Sequence, residues 1–276
     1  MSGIVFGAIA PHGHLAIREA CPPEQRDLAV ATQQAMAELG RRFAAARPEA
    51  VIVCTPHNVH VAGHFAVLTA GKLTGSLADW TTERIELQVA TDRDLAHGAL
   101  DALAAADLPA VGVSYGGNDT TSANAPLDWG ALIPLWFMGG RATPPVPAVV
   151  FCPARDLGPE AHVRAGRALA EAAARSGKRV AFIASSDHGH AHLAEGPYGF
   201  DPAAADYDGR VVDLVRANNL AGLLDLDPAL VGAAKADSYW QMLLLHGALG
   251  DGWRSDFLSY EVPTYFGMLC AAFTPA

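Results

Sequence analysis

The sequence lacks paired cysteines, clusters of basic residues and long apolar runs, and each absence excludes a class of protein. Its four cysteines are scattered and form no CxxC pair, which argues against a zinc ribbon or a redox motif and is typical of a reducing cytoplasm. Nineteen Lys and Arg against 29 Asp and Glu give a net charge of −10, and no basic patch could bind nucleic acid or an anionic membrane. No apolar run approaches the roughly 20 residues that span a bilayer, and no signal-peptide pattern stands at the N-terminus. We therefore expect a cytoplasmic protein that binds neither nucleic acid nor membrane.

What is present is an alternation of short β-branched segments with longer alanine-rich segments of helical period. The pattern predicts strands over residues 4–10, 50–56, 64–70, 110–116, 147–153, 179–186 and 265–273. It predicts helices over residues 24–47, 92–106, 127–138, 158–176, 207–226 and 238–249. With no linker or repeat to divide the chain, residues 1–276 should form a single α/β domain. Its central sheet should be mostly parallel or mixed and flanked by helices, with an active site at the carboxyl ends of the strands.

Histidines concentrate at three of the predicted strand ends. Seven of the 11 follow the strands that end near residues 10, 56 and 186: His12, His14, His57, His60, His188, His190 and His192. One such histidine is usually an ordinary loop residue, but three clusters in the same topological position favour a metal site. Because imidazoles and carboxylates are available without a thiolate pair, zinc and non-heme Fe(II) are the candidate metals.

Five segments carry these residues in a characteristic order: IAPHGH, PEAVIVCTPHN, PLDWGALIPLWFM, IASSDHGHAHLAEGPYG and DSYWQMLLLHGAL. In this order the chain resembles the class III extradiol ring-cleavage dioxygenases, of the type of the catalytic subunit of protocatechuate 4,5-dioxygenase and of 2-aminophenol 1,6-dioxygenase. The resemblance covers most of the chain. It implies an Fe(II) enzyme that inserts both atoms of O2 into the ring of a small catechol or aminophenol. We expect a homo-oligomer, and the resemblance leaves open a small separate subunit that covers the active site.

The resemblance also implies a metal ligand set. His12 in APHG and His57 in TPHN match the first two ligands. The third ligand of the family is a glutamate, and the nearest acid here is Asp237 in KADSYW. Glu261 in SYEVPTYFG is the alternative. We favour Asp237 because of its place in the motif order, although an aspartate there could instead cap the following helix.

Further roles follow from the same motifs. His188 matches the acid–base histidine of the family, and an imidazole pKa near 6.5 suits proton transfer in both directions. His190 or His192 could take this role instead, because all three share one loop. Asp187 is expected to orient an imidazole, and His14 and His190 to lie beside the ligands or the substrate. Trp129 replaces a histidine that several members have, and it should form either a pocket wall or a packing contact.

Two other functions remain open at this point. The same histidines could hold zinc in a hydrolase, and the missing glutamate leaves room for a non-catalytic binding protein on this scaffold. The remaining helical histidines are expected to be ordinary surface or interface residues: His97, His162 and His246.

Overall fold

The computed structural model describes residues 3–78, 84–116 and 119–276. The strands are β1 (Gly3–Ala10), β2 (Ala50–Cys54), β3 (Phe65–Leu68), β4 (Lys72–Ser76), β5 (Glu86–Ala90), β6 (Ala110–Val113), β7 (Asn124–Pro126), β8 (Ala148–Cys152), β9 (Arg179–Ser185), β10 (Trp253–Glu261) and β11 (Met268–Pro275). The helices are α1 (Val30–Ala46), α2 (Arg93–Ala105), α3 (Trp129–Phe137), α4 (Pro159–Arg175), α5 (Ala203–Arg216), α6 (Pro228–Ala233) and α7 (Tyr239–Leu249).

Eight strands form one mixed sheet in the order β10-β11-β1-β9-β2-β8-β3-β6. Its centre is parallel, because β1 pairs with β9, β9 with β2, and β2 with β8. Antiparallel pairs flank this centre, with β11 next to β1 and β3 next to β8. Every residue of β2 and β8 is buried, as expected for parallel strands that are covered on both faces. The predicted α/β fold with a mixed sheet is confirmed.

Helices cover both faces of this sheet. One face packs against α2, α4, α5 and α7, and the other against α1, α3 and a small sheet of order β5-β4-β7. Helices α4 and α7 approach closely at Gly166 and Gly247, where a Cβ atom would collide with the facing backbone carbonyl. This contact fixes α7, whose first residue follows the Asp237 segment. Within the described ranges, no helix is long and apolar enough to cross a membrane.

The structure differs from the sequence-based prediction at several elements. The helix predicted over residues 24–47 begins only at Val30, after a short 3-10 turn over Pro23–Gln25. The segment 207–226 is not one helix, because Asn218 adopts a φ of 54° and such a left-handed residue ends an α-helix. A 3-10 segment, Leu220–Asp225, follows it. Strands β4, β5, β7 and β10 were not predicted, because most of their residues are exposed or only partly buried and their sequences lack an apolar β-branched run.

Candidate metal centre

The three histidine clusters meet because their strands are neighbours. Strands β1, β9 and β2 lie side by side and parallel, so their carboxyl ends reach the same edge of the sheet. The segments after these ends carry His12, Asp187 and His57 to one place. Asp237 joins them from the segment that connects α6 to α7.

Three donor atoms converge there: His12 Nε2, His57 Nε2 and Asp237 Oδ2. The two imidazole nitrogens lie 3.0 Å apart, and the carboxylate oxygen is 2.8 Å from His57 Nε2 and 3.5 Å from His12 Nε2. Ligand bonds of about 2.1 Å would space adjacent donors about 3.0 Å apart in an octahedral site and about 3.4 Å apart in a tetrahedral one. These three residues, hereafter the triad, therefore fit a divalent transition metal, and they have the composition of a two-histidine, one-carboxylate site.

The tautomer of His12 is fixed by Ser185, the last residue of β9. Ser185 Oγ donates to the carbonyl of Gly130, so it can only accept from His12 Nδ1–H, 2.9 Å away. In the neutral ring this leaves the lone pair on Nε2, the atom that faces the other two donors. A ring nitrogen held in this way is the usual support of a metal-binding histidine.

His57 is positioned by the start of α3. Its backbone N–H donates to Thr55 Oγ1 at 3.3 Å, and Thr55 Oγ1 donates to Asp128 Oδ1 at 2.7 Å. Asp128 caps α3. The ring of Trp129 stacks on His57, with centroids 4.4 Å apart and planes inclined by 26°. Trp129 therefore forms a wall against the triad as well as a packing contact.

The two carboxylate oxygens of Asp237 have different partners. Oδ2 faces the two imidazoles, whereas Oδ1 accepts a hydrogen bond from the Arg155 guanidinium. The side chain does not cap α7, since the N-cap is Ser238 and no side-chain bond caps that end. The ion pair with Arg155 thus leaves one oxygen of the carboxylate to face the metal position.

Electrostatics in the triad favour a cation. Burial alone would lower the pKa of His12, but the carboxylates of Asp187 and Asp237 outweigh it and raise that pKa above its ordinary value. Burial would raise the pKa of Asp237. Hydrogen bonds from His12 and His57, together with the charge of these imidazoles, nevertheless hold that pKa well below its usual range. A site that stabilises a protonated imidazole in this way would also stabilise a metal cation.

Glu261, the alternative third ligand, lies elsewhere. It ends β10, and its Oε1 accepts a hydrogen bond at 2.6 Å from the backbone N–H of Thr32, in the first turn of α1. A carboxylate at a helix N-terminus has a structural role of its own. Among the described residues, the group that could hold a metal contains Asp237 and not Glu261.

Residues 187–192, hereafter the histidine loop, follow β9 and lie outside the named strands and helices. Asp187 is buried, and its Oδ1 accepts from the backbone N–H of His12 at 3.0 Å. Its Oδ2 lies 3.4 Å from His12 Nε2. Asp187 therefore contacts the His12 imidazole.

His188 and His190 have different surroundings in this loop. His188 is fully buried, bonds Ser238 Oγ through Nδ1 at 3.0 Å, and is not among the described residues that line the cleft at the triad. Burial lowers the pKa of His188, so the expected ordinary value is wrong. His190 lines the cleft, and its Nδ1–H donates to the carbonyl of His188 at 2.7 Å. In the neutral ring, His190 Nε2 therefore bears the lone pair.

The triad lies in a cleft of about 1550 Å3. Aromatic rings form much of its wall: Trp129, Tyr239, Trp240, Tyr265 and Phe266. His14 also lines the cleft, and its Nε2 is 3.2 Å from Gln25 Oε1. A largely apolar cleft with a few convergent polar groups is typical of a small-molecule site.

Three contributors to the centre were missed by sequence reasoning, namely Arg155, Ser185 and Asp128. Ser185 lies near the end of a predicted strand, beside the Asp187 motif, so its position was a usable signal. The partners of Arg155 and Asp128 lie far away in the chain and left no local pattern. One histidine was also misplaced: His162, expected at a surface or interface, is fully buried.

Comparison with known proteins agrees with this geometry. The family model described as the catalytic LigB subunit of aromatic ring-opening dioxygenase matches residues 7–271. Protein CA_C1420 of Clostridium acetobutylicum is 22% identical over 255 residues, which cover 92% of this chain and 54% of that protein. The chain thus spans about half the length of this curated relative.

A solved structure has the same fold. The crystal structure of uncharacterized protein JW3007 from Escherichia coli K12 aligns with a TM-score of 0.61 at 16% identity, over 97% of this chain and 99% of that one. The family match extends over nearly the whole chain and includes all three members of the triad. The predicted resemblance is thereby confirmed, and the chain belongs to the family of catalytic LigB subunits of aromatic ring-opening dioxygenases.

Proposed function

We propose that the protein is an Fe(II)-dependent extradiol dioxygenase that opens the ring of a catechol or aminophenol and incorporates both atoms of O2. The observation that carries this proposal is the triad, whose donors lie 2.8–3.5 Å apart in an aromatic-walled cleft of a ring-opening dioxygenase family member. His12 Nε2, His57 Nε2 and Asp237 Oδ2 would hold the metal. Iron held by these residues would supply redox chemistry with O2.

The walls of the cleft support an aromatic substrate. Trp129 stacks on His57 beside the triad, and Phe266 packs on the His190 ring with centroids 5.2 Å apart. Flat rings in the wall of the cleft favour a flat aromatic ligand, since offset stacking adds to the burial of apolar area.

Proton transfer is assigned to His190 in this proposal. A substrate hydroxyl must lose a proton to bind as an oxyanion, and a neutral imidazole with a free Nε2 lone pair can accept it. His190 lines the cleft and has that tautomer, whereas His188 is buried and bonded to Ser238. The same imidazole can return the proton when the ring opens.

The test combines metal analysis with oxygen uptake. Protein purified without oxygen and reconstituted with Fe(II) is offered a panel of catechols and aminophenols, and we expect oxygen consumption with formation of a ring-opened product. His12→Ala, His57→Ala and Asp237→Ala should lose the metal. His190→Gln should keep it and lower kcat by about 10²–10⁴-fold, and the exposed His97→Gln is the matched control.

The outcomes also separate the other functions. Zinc-supported hydrolysis of esters or amides, without oxygen uptake, would replace the proposal by a metallohydrolase. Failure to bind any divalent metal at a one-to-one ratio would instead indicate a binding protein on this scaffold. If His188→Gln loses turnover while His190→Gln keeps it, the proton-transfer assignment is wrong although the dioxygenase proposal stands.

A further inference from the structure

The carboxylate of Asp208, on α5, accepts hydrogen bonds from three donors in the protein interior. Its Oδ1 accepts from the backbone N–H of Gly189 at 2.7 Å. Its Oδ2 accepts from His192 Nε2 at 2.8 Å and from the Tyr260 hydroxyl at 2.6 Å. Only 1% of Asp208 is exposed, and it is not among the described residues that line the cleft. Because a buried carboxylate is costly without such donors, this group and its partners form one unit.

The backbone at Gly267 lies in close contact with the Asp208 carboxylate. At Gly267 a Cβ atom would collide with Asp208 Oδ2, so only glycine permits this approach. The same glycine pairs with the histidine loop: its carbonyl accepts from His188 N at 2.8 Å, and its N–H donates to the Gly189 carbonyl at 3.1 Å. Asp208 therefore lies where the loop meets the segment before β11.

Two of the three bonds attach the histidine loop on either side of His190. Gly189 precedes His190 and His192 follows it by two residues, and both donate to Asp208. The third donor, Tyr260, belongs to β10 at the edge of the main sheet. A loop outside helices and strands relies on such specific bonds for its conformation, and Asp208 accepts two of those that flank His190.

We infer that Asp208 is a positioning residue, which holds the histidine loop so that the His190 imidazole lines the cleft that contains the triad. Its effect on turnover rests on the proposed function, but its effect on the loop does not. Removing the carboxylate would leave the Gly189 N–H and the His192 ring without their acceptor, and the loop would have to shift to satisfy them. His12 follows β1, His57 follows β2 and Asp237 precedes α7. None of the three metal ligands lies in the histidine loop, so they should stay in place.

The test compares Asp208→Asn and Asp208→Ala with Asp206→Asn, a control on the same helix whose half-exposed carboxylate pairs with Arg210. Hydrogen–deuterium exchange reports on the loop without any substrate. We expect exchange in residues 187–192 to become about 10-fold faster or more in both Asp208 variants, with the metal stoichiometry unchanged. With Fe(II) and a turned-over catechol, kcat should fall about 10- to 100-fold, as for a displacement of about 1 Å, while KM changes less than about threefold.

Variants that each remove one hydrogen-bond donor to Asp208 should have smaller effects on kcat than loss of the carboxylate itself. Tyr260→Phe and His192→Leu each remove one donor, so each should lower kcat less than Asp208→Ala does. Should the alanine variant fail to fold, the asparagine variant carries the test, since it keeps the side-chain volume and the Gly189 acceptor. Loop exchange at wild-type rates in the Asp208 variants would overturn the inference. A lower melting temperature with an unchanged kcat would also overturn it, because Asp208 would then serve stability alone.

These results are distinguishable from failure of the proposed function. If the wild-type protein consumes no oxygen with any substrate, the exchange rates and the NMR signals of the His190 ring still decide whether Asp208 holds the loop. If ring opening occurs but His190→Gln leaves it intact, the proton-transfer assignment fails first. If the loop also exchanges faster without Asp208, then Asp208 anchors the loop for a purpose other than catalysis by His190. The inference about His190 would be overturned.

Discussion

The buried His162 should make the protein lose stability in mild acid. Its ring lies between Phe65 and Trp240, with centroids 5.0 Å and 4.7 Å away. Nδ1 donates to the carbonyl of Gly158 at 3.0 Å, and Nε2 is buried with no partner among the described residues. Burial therefore lowers the pKa of His162 from 6.5 to about 4, because a charged ring would lose its hydration there.

The sign and size of the effect follow from proton linkage. Above pH 6.5 the ring is neutral in both the folded and the unfolded chain, so it adds no pH dependence. Below pH 6.5 the unfolded chain binds a proton that the folded chain does not, and the free energy of unfolding falls. The full difference between pKa values of 6.5 and about 4 corresponds to about 3.4 kcal/mol, of which about 2 kcal/mol is lost between pH 7.5 and pH 5.

The assay is urea unfolding at pH 7.5 and pH 5 of the wild type, His162→Phe and His97→Gln. Phenylalanine keeps a ring between the two aromatic neighbours but cannot be protonated, whereas His97 is exposed on α2. We expect the wild type and His97→Gln to lose about 2 kcal/mol more than His162→Phe does between the two pH values. Parallel losses in all three proteins would refute the reasoning, since His162 would then titrate alike when folded and unfolded.

The positions of His12 and His57 were predictable because they depend on one rule of sheet topology. Both residues directly follow apolar strands, and parallel strands of one sheet deliver their carboxyl ends to one edge. That prediction needed no knowledge of strand order. Asp237 was harder, because it lies in the segment between α6 and α7 and not at the end of a strand. The motif order located it, and its ion pair with Arg155 had no local signature.

The choice between His188 and His190 illustrates where sequence reasoning ends. The two residues are separated by one glycine in a loop without regular structure, so no periodicity indicates which ring faces the cleft. Both residues bond to partners that are distant in the sequence: Ser238 bonds the His188 ring, and the carbonyl of Ala234 accepts from the backbone N–H of His190 at 2.8 Å. The prediction for His162 was wrong for a similar reason. Its helix has a buried face and an exposed face, and which face is buried depends on the packing of α7, which is distant in the sequence.

Three further substitutions test the centre and its supports. Ser185→Ala removes the hydrogen-bond acceptor of His12 Nδ1–H, so the affinity for a divalent metal should fall about 10- to 100-fold in a metal titration. Ser186 is the control: its hydroxyl has no partner among the described residues, so Ser186→Ala should leave the metal affinity unchanged. Gly130→Ala places a methyl group against the threonine and aspartate that position the second histidine, and should lower the free energy of unfolding by about 1–3 kcal/mol. Gly98→Ala, in open space on α2, should raise it by up to about 1 kcal/mol in the same urea assay. Glu261→Gln keeps an oxygen for the first turn of α1 but loses the negative charge that favours a helix N-terminus, so we expect a loss of about 0.3–1 kcal/mol in stability. Its metal affinity should stay within about twofold of the wild type, while Asp237→Asn should weaken binding at least about 10-fold, because a neutral amide is a poorer ligand than a carboxylate. Loss of metal from Glu261→Gln with retention in Asp237→Asn would show that the wrong carboxylate has been assigned to the triad.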